Sequence, residues 1–295
     1  MHIKDIFKEK KVVFSFEIFP PKTTSSVDTI YNTLEALKDL KPDFISVTYG
    51  AGGSTIDNKT TLLSSLIKNK YGIESVAHLT CIGSTKEDIK TILEDLKKNS
   101  IENILALRGD IPEGKMLSGE FSYAYELISY IKEYGNFGVS AACYPEGHLE
   151  CEDLELDIKR LKQKVDSGAD HLVSQLFFNN NVFYDFLERC SQKNINVPIE
   201  AGIMPVINKR QIERITSLCG VEIPKKFKKI MEKYEHNPEA LRDAGIAYAV
   251  EQIVDLLSSG VKGIHLYTMN NPLVARRITE SIGSIITTLN QEITI

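Results

Sequence analysis

Short runs of β-branched and aromatic residues alternate along the chain with longer segments in which hydrophobic residues recur every three or four positions. Eight runs are typical of β-strands, and they cover residues 12–19, 44–50, 75–81, 103–109, 139–145, 171–178, 199–205 and 263–269. The segments between them are long enough for crossover helices, which parallel strands require. The pattern therefore predicts repeated βα units from the start of the chain almost to its end.

Helix signals accompany most of these segments. Ser25 or Ser26 is expected to cap a first helix that ends at Pro42, and Ser84 is expected to cap a helix of similar amphipathic rhythm. A further helix is predicted over residues 153–165.

The longest segment, between the seventh and eighth runs, is predicted to hold extra helices opened by Pro224 and Pro238. Eight βα units fit a (β/α)8 TIM barrel better than an open doubly wound sheet, because closure leaves no exposed edge strand. No linker or change of composition divides the chain. We expect one α/β barrel domain over residues 1–295.

Composition narrows the functional classes. The 295 residues are 42% hydrophobic and 25% charged, which excludes disordered, collagen-like and disulfide-scaffold chains. The net charge of −5 provides no field that would attract nucleic acid. The five cysteines form no CxxC pair, and no segment reaches the roughly 20 apolar residues of a membrane span. We expect a cytoplasmic protein without nucleic-acid or membrane partners.

In (β/α)8 barrels the chemistry lies at the carboxyl ends of the strands, so the last residues of each run are the candidates for a functional site. These strand-end residues are Glu17, Thr48, Tyr49, His78, Thr80, Arg108, Asp110, Tyr144, Gln175, Met204 and Tyr267. Most are polar where a buried strand would otherwise carry Val, Ile or Leu. The pattern predicts a site formed by several strands.

Glu17 carries the clearest chemical signal. A carboxyl group flanked by Phe16, Ile18 and Phe19 suits a general acid, and an ion pair with a nearby Arg or Lys explains it equally well. The Arg-Gly-Asp sequence at residues 108–110 offers donors, a close backbone approach and a fixed negative charge. A strand-ending turn with a surface ion pair is its alternative.

Three other patterns match no specific functional motif. The glycines of residues 48–55 have the wrong spacing for a dinucleotide fingerprint, so we interpret this segment as a loop at the barrel mouth. The acidic cluster of residues 146–153 matches no zinc pattern, and we predict no metal. His171 and His265 are assigned to the beginnings of their strands, and packing is the default role for both.

The strand ends together resemble the flavin-dependent methylenetetrahydrofolate reductases of bacteria. The resemblance rests on FSFEIFPPKT (14–23), VTYGAGGST (47–55), ALRGD (106–110) and AACYPEGH (141–148), and also on AHLTC, SQLFF, GIMPV and HLYTMN. It covers nearly the whole chain in order. It implies a catalytic barrel without the regulatory extension of eukaryotic relatives, acting in the one-carbon metabolism that serves methionine biosynthesis.

The resemblance implies that FAD takes hydride from NAD(P)H and passes it to 5,10-methylenetetrahydrofolate, giving the 5-methyl product. Glu17 matches the family's acid catalyst, whose proton on N10 opens the imidazolidine ring. Asp110 matches a carboxylate near flavin and folate, and Gln175 matches the amide that hydrogen-bonds the pterin. Thr48 is a further expected contact of the substrate.

The implied FAD-binding residues are Thr48, Tyr49, Ala51, His78, Arg108, Gly109, Asp110, Tyr123, Ala124, Tyr144, His148, Asp157, Arg160 and Lys164. Arg160 and Lys164 are four residues apart on one helix face, where they could meet the pyrophosphate. The chain departs from the family pattern at two positions. Ile215 replaces an aromatic residue that stacks on nicotinamide or folate, and Asn271 replaces an Arg that meets folate.

Two other functions stay open. A barrel acting on sugar phosphates would need a glycine-rich phosphate cradle after strands seven and eight, and MPVINKR and YTMNNP contain no glycine. A flavin- and folate-binding subunit that receives electrons from a partner protein, such as a ferredoxin-linked donor, would show the same motifs. Whichever function holds, including the folate reductase that the resemblance implies, we expect a homo-oligomer.

Overall fold

In a computed structural model, described over residues 1–21, 27–49, 58–111, 119–151 and 153–291, eight parallel strands close into a barrel. The strands are β1 (Val13–Ile18), β2 (Phe44–Val47), β3 (Glu74–Thr80), β4 (Asn103–Leu107), β5 (Gly138–Cys143), β6 (His171–Ser174), β7 (Ile199–Ile203) and β8 (Gly263–Tyr267). Each strand pairs with the next in sequence, and β8 pairs with β1. The predicted (β/α)8 barrel is confirmed.

Helices surround the barrel and cover its amino-terminal end. They are α1 (Ile3–Glu9), α2 (Val27–Lys38), α3 (Asn58–Ser65), α4 (Lys86–Lys98), α5 (Ala124–Tyr134), α6 (Leu154–Asp166), α7 (Asn180–Gln192), α8 (Lys209–Cys219), α9 (Lys225–Tyr234), α10 (Pro238–Ser258) and α11 (Pro272–Gln291). A π-helical segment, Leu66–Lys70, continues α3. The helices predicted to open at Pro224 and Pro238 are α9 and α10, and α8 precedes both. Among the described helices, none is both long and apolar enough to cross a membrane.

The strands end earlier than the hydrophobic runs predict. The sixth run extends to residue 178, whereas β6 ends at Ser174. Phe177 stacks on Phe183 of α7 with ring centroids 4.8 Å apart, and Phe178 packs against Phe227 of α9. The apolar residues after Ser174 are therefore buried against helices, and hydrophobicity alone does not distinguish that burial from a longer strand.

One predicted helix cap is wrong by one residue. The N-cap of α4 is Thr85, not Ser84, because Thr85 accepts from the backbone N–H of Asp88 and Asp88 in turn accepts from the backbone N–H of Thr85. Only the residue three positions before Asp88 can complete this reciprocal capping box. Ser25 and Ser26 lie outside the described residues.

The two faces of each strand have different neighbours. On β1, Phe14, Phe16 and Ile18 belong to the main hydrophobic core, while Ser15 and Glu17 alternate with them and face polar residues of other strands. Helix α1 closes the amino-terminal end of the barrel, where Ile3 and Ile6 are buried. The barrel interior is therefore closed at one end, and its polar side chains face the other.

Candidate active site

A cavity of about 760 Å³ lies at the carboxyl ends of the strands. All of the strand-end residues that the sequence singles out line it, from Glu17 on β1 to Tyr267 on β8. In particular, Glu17 and Asp110 face one common cavity, although they come from the first and fourth βα units. Closure of the barrel is what brings these distant parts of the sequence together.

Glu17 lies on the floor of this cavity with its side chain 19% exposed. Its Oε2 atom is 3.4 Å from Nε2 of His78 and 3.6 Å from Nε2 of His265. Its backbone carbonyl accepts from the hydroxyl of Thr268 at 2.6 Å, which fixes the end of β1. Within the described part of the chain, histidines occupy the place beside Glu17 that the alternative interpretation gave to Arg or Lys.

His78 is a neutral neighbour of Glu17. Burial lowers the pKa of His78 to about 4, although the charge of Glu17 acts in the opposite direction. The Nε2 atom of His78 is buried and makes no hydrogen bond within the described structure. At neutral pH the imidazole can therefore accept or donate one hydrogen bond at Glu17 without adding a positive charge.

Beneath Glu17, the barrel interior holds polar residues that the sequence analysis left out. His265 is the third residue of β8, not its first, and it is fully buried beside Glu17. His265 is thus packed in the barrel interior, and its Nδ1 atom also lies 2.6 Å from the hydroxyl of Ser15. Glu200 of β7 accepts from Ser15 at 2.9 Å, and its other oxygen lies 3.2 Å from Nε2 of His171.

A sequence signal for these residues did exist. Glu200 is an ionisable residue inside a short, otherwise apolar strand run, where Glu is rarely buried without a partner. Ser15 precedes Glu17 by two positions, so both lie on the same face of β1. Their contacts with β6, β7 and β8 depend on closure and register, which the linear pattern does not provide.

Tyr267 and Gln175 form the wall beyond Glu17. The hydroxyl of Tyr267 donates to the backbone carbonyl of Ser174 at 2.7 Å, and burial raises the pKa of Tyr267 well above its usual value. Its ring lies against Gly202, where any Cβ atom would come within 2.8 Å of the ring. The side-chain oxygen of Gln175 accepts from the backbone N–H of Leu176 at 2.9 Å, which orients the amide in the cavity wall.

The Arg-Gly-Asp turn follows β4 at the rim. Arg108 makes two hydrogen bonds to Glu150, at 2.6 and 2.7 Å, so the ion-pair interpretation of this motif is correct for the arginine. Gly109 has a φ of +89°, and a Cβ atom there would lie 3.1 Å from Thr80. Asp110 is exposed and lines the cavity. Its negative charge contributes, after burial, to the raised pKa of Cys219 on α8.

A second cavity of about 180 Å³ adjoins the first. Arg108, Tyr144 and His148 line both cavities. The remaining members of the predicted FAD set in this second cavity are Tyr123, Ala124, Asp157, Arg160 and Lys164. Thr48, Tyr49, His78, Gly109 and Asp110 line the first cavity, and Ala51 lies outside the described residues. The predicted set therefore follows one continuous surface.

Lys164 and His148 are the basic groups of this surface whose pKa values are lowered. Lys164 donates to the backbone carbonyl of Ala142 at 2.8 Å, and its ammonium lies 5.4 Å from the ring centroid of Tyr144. Burial lowers the pKa of Lys164. Burial first, and then the charge of Arg108, lowers the pKa of His148. A negatively charged ligand in this cavity would offset the unfavourable burial of Lys164.

The two departures from the family pattern have different positions. Ile215 of α8 lines the larger cavity. The side chain of Asn271 instead caps α11, accepting from the backbone N–H of Val274 at 3.2 Å. Among the described residues, no group of three or more His, Cys, Asp and Glu side chains is arranged to hold a metal ion.

Comparisons with known proteins agree with this architecture. The 5,10-methylenetetrahydrofolate reductase of Salmonella typhimurium is 37% identical over 270 residues, covering 91% of this chain and 90% of that protein. Methylenetetrahydrofolate reductase (NADH) 1 of Arabidopsis thaliana is 37% identical over 96% of this chain. The chain spans about half the length of that plant relative.

A solved structure shares the fold. It is described as an uncharacterized protein from Clostridium thermocellum that binds two copies of 5-methyl-5,6,7,8-tetrahydrofolic acid. It superposes with a TM-score of 0.66 over 98% of this chain and 100% of that chain, at 16% identity. The model of the family described as methylenetetrahydrofolate reductase matches residues 2–283. This chain therefore belongs to the methylenetetrahydrofolate reductase family.

Proposed function

We propose that this protein reduces 5,10-methylenetetrahydrofolate to 5-methyltetrahydrofolate, with hydride passing from NAD(P)H through FAD. The observation that carries the proposal is the convergence of Glu17, Asp110 and Gln175 on one cavity that continues into a basic second cavity. The bacterial relative's name specifies the same substrate, and the plant relative's name specifies NADH. Both names support the assignment.

The residues fit FAD. A flavin dinucleotide is long and carries a pyrophosphate, and the two adjoining cavities offer an extended surface with Arg108, Arg160 and Lys164 along it. We expect these basic residues to hold the pyrophosphate and the larger cavity to hold the isoalloxazine ring. When bound, FAD supplies the carrier that accepts hydride from the nucleotide and delivers it to the folate.

Glu17 is the proton donor in this proposal. Opening the imidazolidine ring requires a proton on N10, and a protonated carboxyl on the cavity floor can provide it. Nε2 of His78 and Nε2 of His265 lie 3.4 and 3.6 Å from Oε2 of Glu17. Because burial lowers the pKa of His78 to about 4, His78 adds no positive charge beside Glu17 at neutral pH.

Asp110 and Gln175 complement the acid. Ring opening produces a cationic iminium at N5 of the folate, and the carboxylate of Asp110 at the cavity rim would stabilise positive charge there. The amide of Gln175 is oriented by its contact with Leu176, which leaves its NH₂ group available as a donor to the pterin. The walls of the cavity exclude part of the solvent from the reacting groups.

Spectroscopy of the purified chain tests the proposal. We expect a yellow protein, or one that becomes yellow with added FAD, whose flavin is bleached by NADH without oxygen and recovers on addition of methylenetetrahydrofolate. A chain that binds no flavin overturns the proposal. A flavin that NADH and NADPH both fail to reduce, but that dithionite reduces and methylenetetrahydrofolate reoxidises, would instead identify a subunit with a partner protein as donor.

A further inference from the structure

Glu200 and His171 form a buried pair at the amino-terminal side of the barrel interior, below the candidate active site. Both side chains are 0% exposed, and Nε2 of His171 lies 3.2 Å from Oε2 of Glu200. These two facing atoms make no hydrogen bond in the described structure, so the hydrogen bond that compensates for the burial of Glu200 is the one that its Oε1 atom accepts from Ser15. The pair lies too deep to contact a ligand in the cavity, so a role must act through its neighbours.

Those neighbours form a chain of contacts that leads to Glu17. The hydroxyl of Ser15 is 2.9 Å from Oε1 of Glu200 and 2.6 Å from Nδ1 of His265. The opposite nitrogen of His265, Nε2, is 3.6 Å from Glu17 and 3.3 Å from the hydroxyl of Ser46. Glu200 is therefore connected to the proposed acid through one serine and one imidazole.

The hydrogen-bond capacities of these groups determine which group donates and which accepts in each of these contacts. A carboxylate only accepts, so the single proton of the Ser15 hydroxyl points to Glu200. Ser15 can then only accept from His265, and the proton of the imidazole must lie on Nδ1. This leaves the lone pair of Nε2 facing Glu17 and Ser46.

We propose that Glu200 is a positioning residue that selects the Nδ1–H tautomer of His265 and so directs an acceptor nitrogen at Glu17. In that tautomer Nε2 of His265, 3.6 Å from Oε2 of Glu17, presents a lone pair to the carboxyl group. In the opposite tautomer it would present an N–H group there instead. The consequence for catalysis rests on the proposed function, whereas the tautomer itself does not.

Among the described residues, the groups that face Nδ1 of His265 are the Ser15 hydroxyl at 2.6 Å and Oε2 of Glu200 at 3.9 Å. Phe44 stacks on the imidazole, and Tyr267 meets it edge-on while donating its hydroxyl hydrogen to Ser174. His78 of β3 and Glu17 of β1 are the other titratable groups that face it in the described structure. Glu200 is the group that determines the hydrogen bond at Nδ1, because it accepts the Ser15 hydrogen and leaves the Ser15 oxygen to accept from His265.

Nitrogen-15 NMR of histidine-labelled protein, without folate or nucleotide, tests the inference, and the signals of His265 are those missing from His265→Gln. We expect His265 to be protonated at Nδ1 only. In Glu200→Met the Ser15 hydroxyl is free to donate to Nδ1, so the proton should move to Nε2. Glu200→Gln keeps an amide oxygen for Ser15 and should retain the original tautomer, which controls for the loss of charge and shape.

A second variant keeps the test decisive if Glu200→Met does not fold. Ser15→Ala removes the link and leaves the Glu200–His171 pair in place, and it should also move the proton to Nε2. Protonation of wild-type His265 at Nε2, alone or together with Nδ1, overturns the inference, and so does an unchanged tautomer in the folded Met or Ala variant. None of these outcomes depends on whether the protein reduces folate.

The kinetic consequence can be measured separately. In Glu200→Met we expect flavin reoxidation by methylenetetrahydrofolate to slow by about tenfold, a fraction of what a general acid contributes, with flavin reduction by NADH unchanged. A shifted tautomer with unchanged reoxidation would keep the tautomer assignment and refute its catalytic consequence. Absence of both half-reactions in the wild-type protein would refute the proposed function alone.

Discussion

Replacing Glu17 by glutamine tests the proposed acid most directly. The amide has nearly the same shape as the carboxyl and can keep contacts with His78 and His265, which lie 3.4 and 3.6 Å away. It has no proton that it can transfer to N10. We therefore expect Glu17→Gln to fold, to bind flavin, and to fail at the step that needs the proton.

The expected loss follows from the position of Glu17. A positioned general acid typically contributes a factor of about 10²–10⁴, or about 3–5 kcal/mol of activation free energy. The side chain is only 19% exposed, so water on the cavity floor is a poor substitute for it. We expect the loss to lie within this range for reoxidation of the flavin by methylenetetrahydrofolate.

Stopped-flow absorbance of the flavin separates the two half-reactions. Reduction by NADH should stay within about twofold of the wild-type rate, because hydride transfer to the flavin requires no proton from Glu17. Glu251→Gln, at an exposed position of α10, makes the same chemical change away from the cavity and serves as the control. An equal loss in both half-reactions, with normal flavin content, would refute the role of Glu17 as the acid.

Three further predictions concern binding and stability. Lys164→Glu should lower flavin retention on gel filtration, because it places a negative charge beside the expected pyrophosphate. Lys159→Glu, on the exposed face of α6, is the control and should not. Equal flavin contents in the two variants would contradict the placement of the pyrophosphate beside Lys164. Gly109→Ala should lower the free energy of unfolding in urea by about 1–3 kcal/mol, and by more than Gly72→Ala does. Both glycines have positive φ, but only at Gly109 would a Cβ atom meet close neighbours. Equal losses in the two variants would show that this contact is unimportant. Burial lowers the pKa of His78 to about 4, so the unfolded state protonates this imidazole before the folded state does as the pH falls below 6.5. The free energy of unfolding should therefore fall by roughly 2 kcal/mol between pH 7 and 4.5 because of this residue. The variant His78→Gln should lose that part of the pH dependence. An unchanged pH dependence in His78→Gln would contradict the neutral burial of His78.

The fold could be predicted because a parallel barrel repeats one local signal eight times. Each βα unit combines a buried strand with an amphipathic helix, and the order of the units alone favours closure. The exact ends of the strands and helices were harder to predict from the sequence. Phe177 and Phe178 extend the hydrophobic run beyond β6, yet they pack on helices, and Ser84 and Thr85 are equivalent as caps until the partner at Asp88 is considered.

The site was predictable to the extent that it lies at strand ends. Glu17, Asp110 and Gln175 needed only the rule that the carboxyl ends of barrel strands share one face. The ion pair between Arg108 and Glu150 was left open because it depends on how the loop after β5 folds back over β4. The contacts of Glu200 were missed because they cross the barrel interior, where residues from β1, β6 and β7 meet only after closure.

The buried polar residues explain why the interior of this barrel differs from a purely hydrophobic core. Apolar side chains would fill the space between α1 and Glu17 at lower cost in hydration. Instead Glu200, Ser15 and His265 form a series of hydrogen bonds, and Nε2 of His265 lies 3.6 Å from the proposed acid. The hydrogen-bonding group that faces Glu17 can therefore be set by residues that no substrate reaches. The cavity walls would contact the ligand, while the buried residues beneath Glu17 determine what its carboxyl group faces.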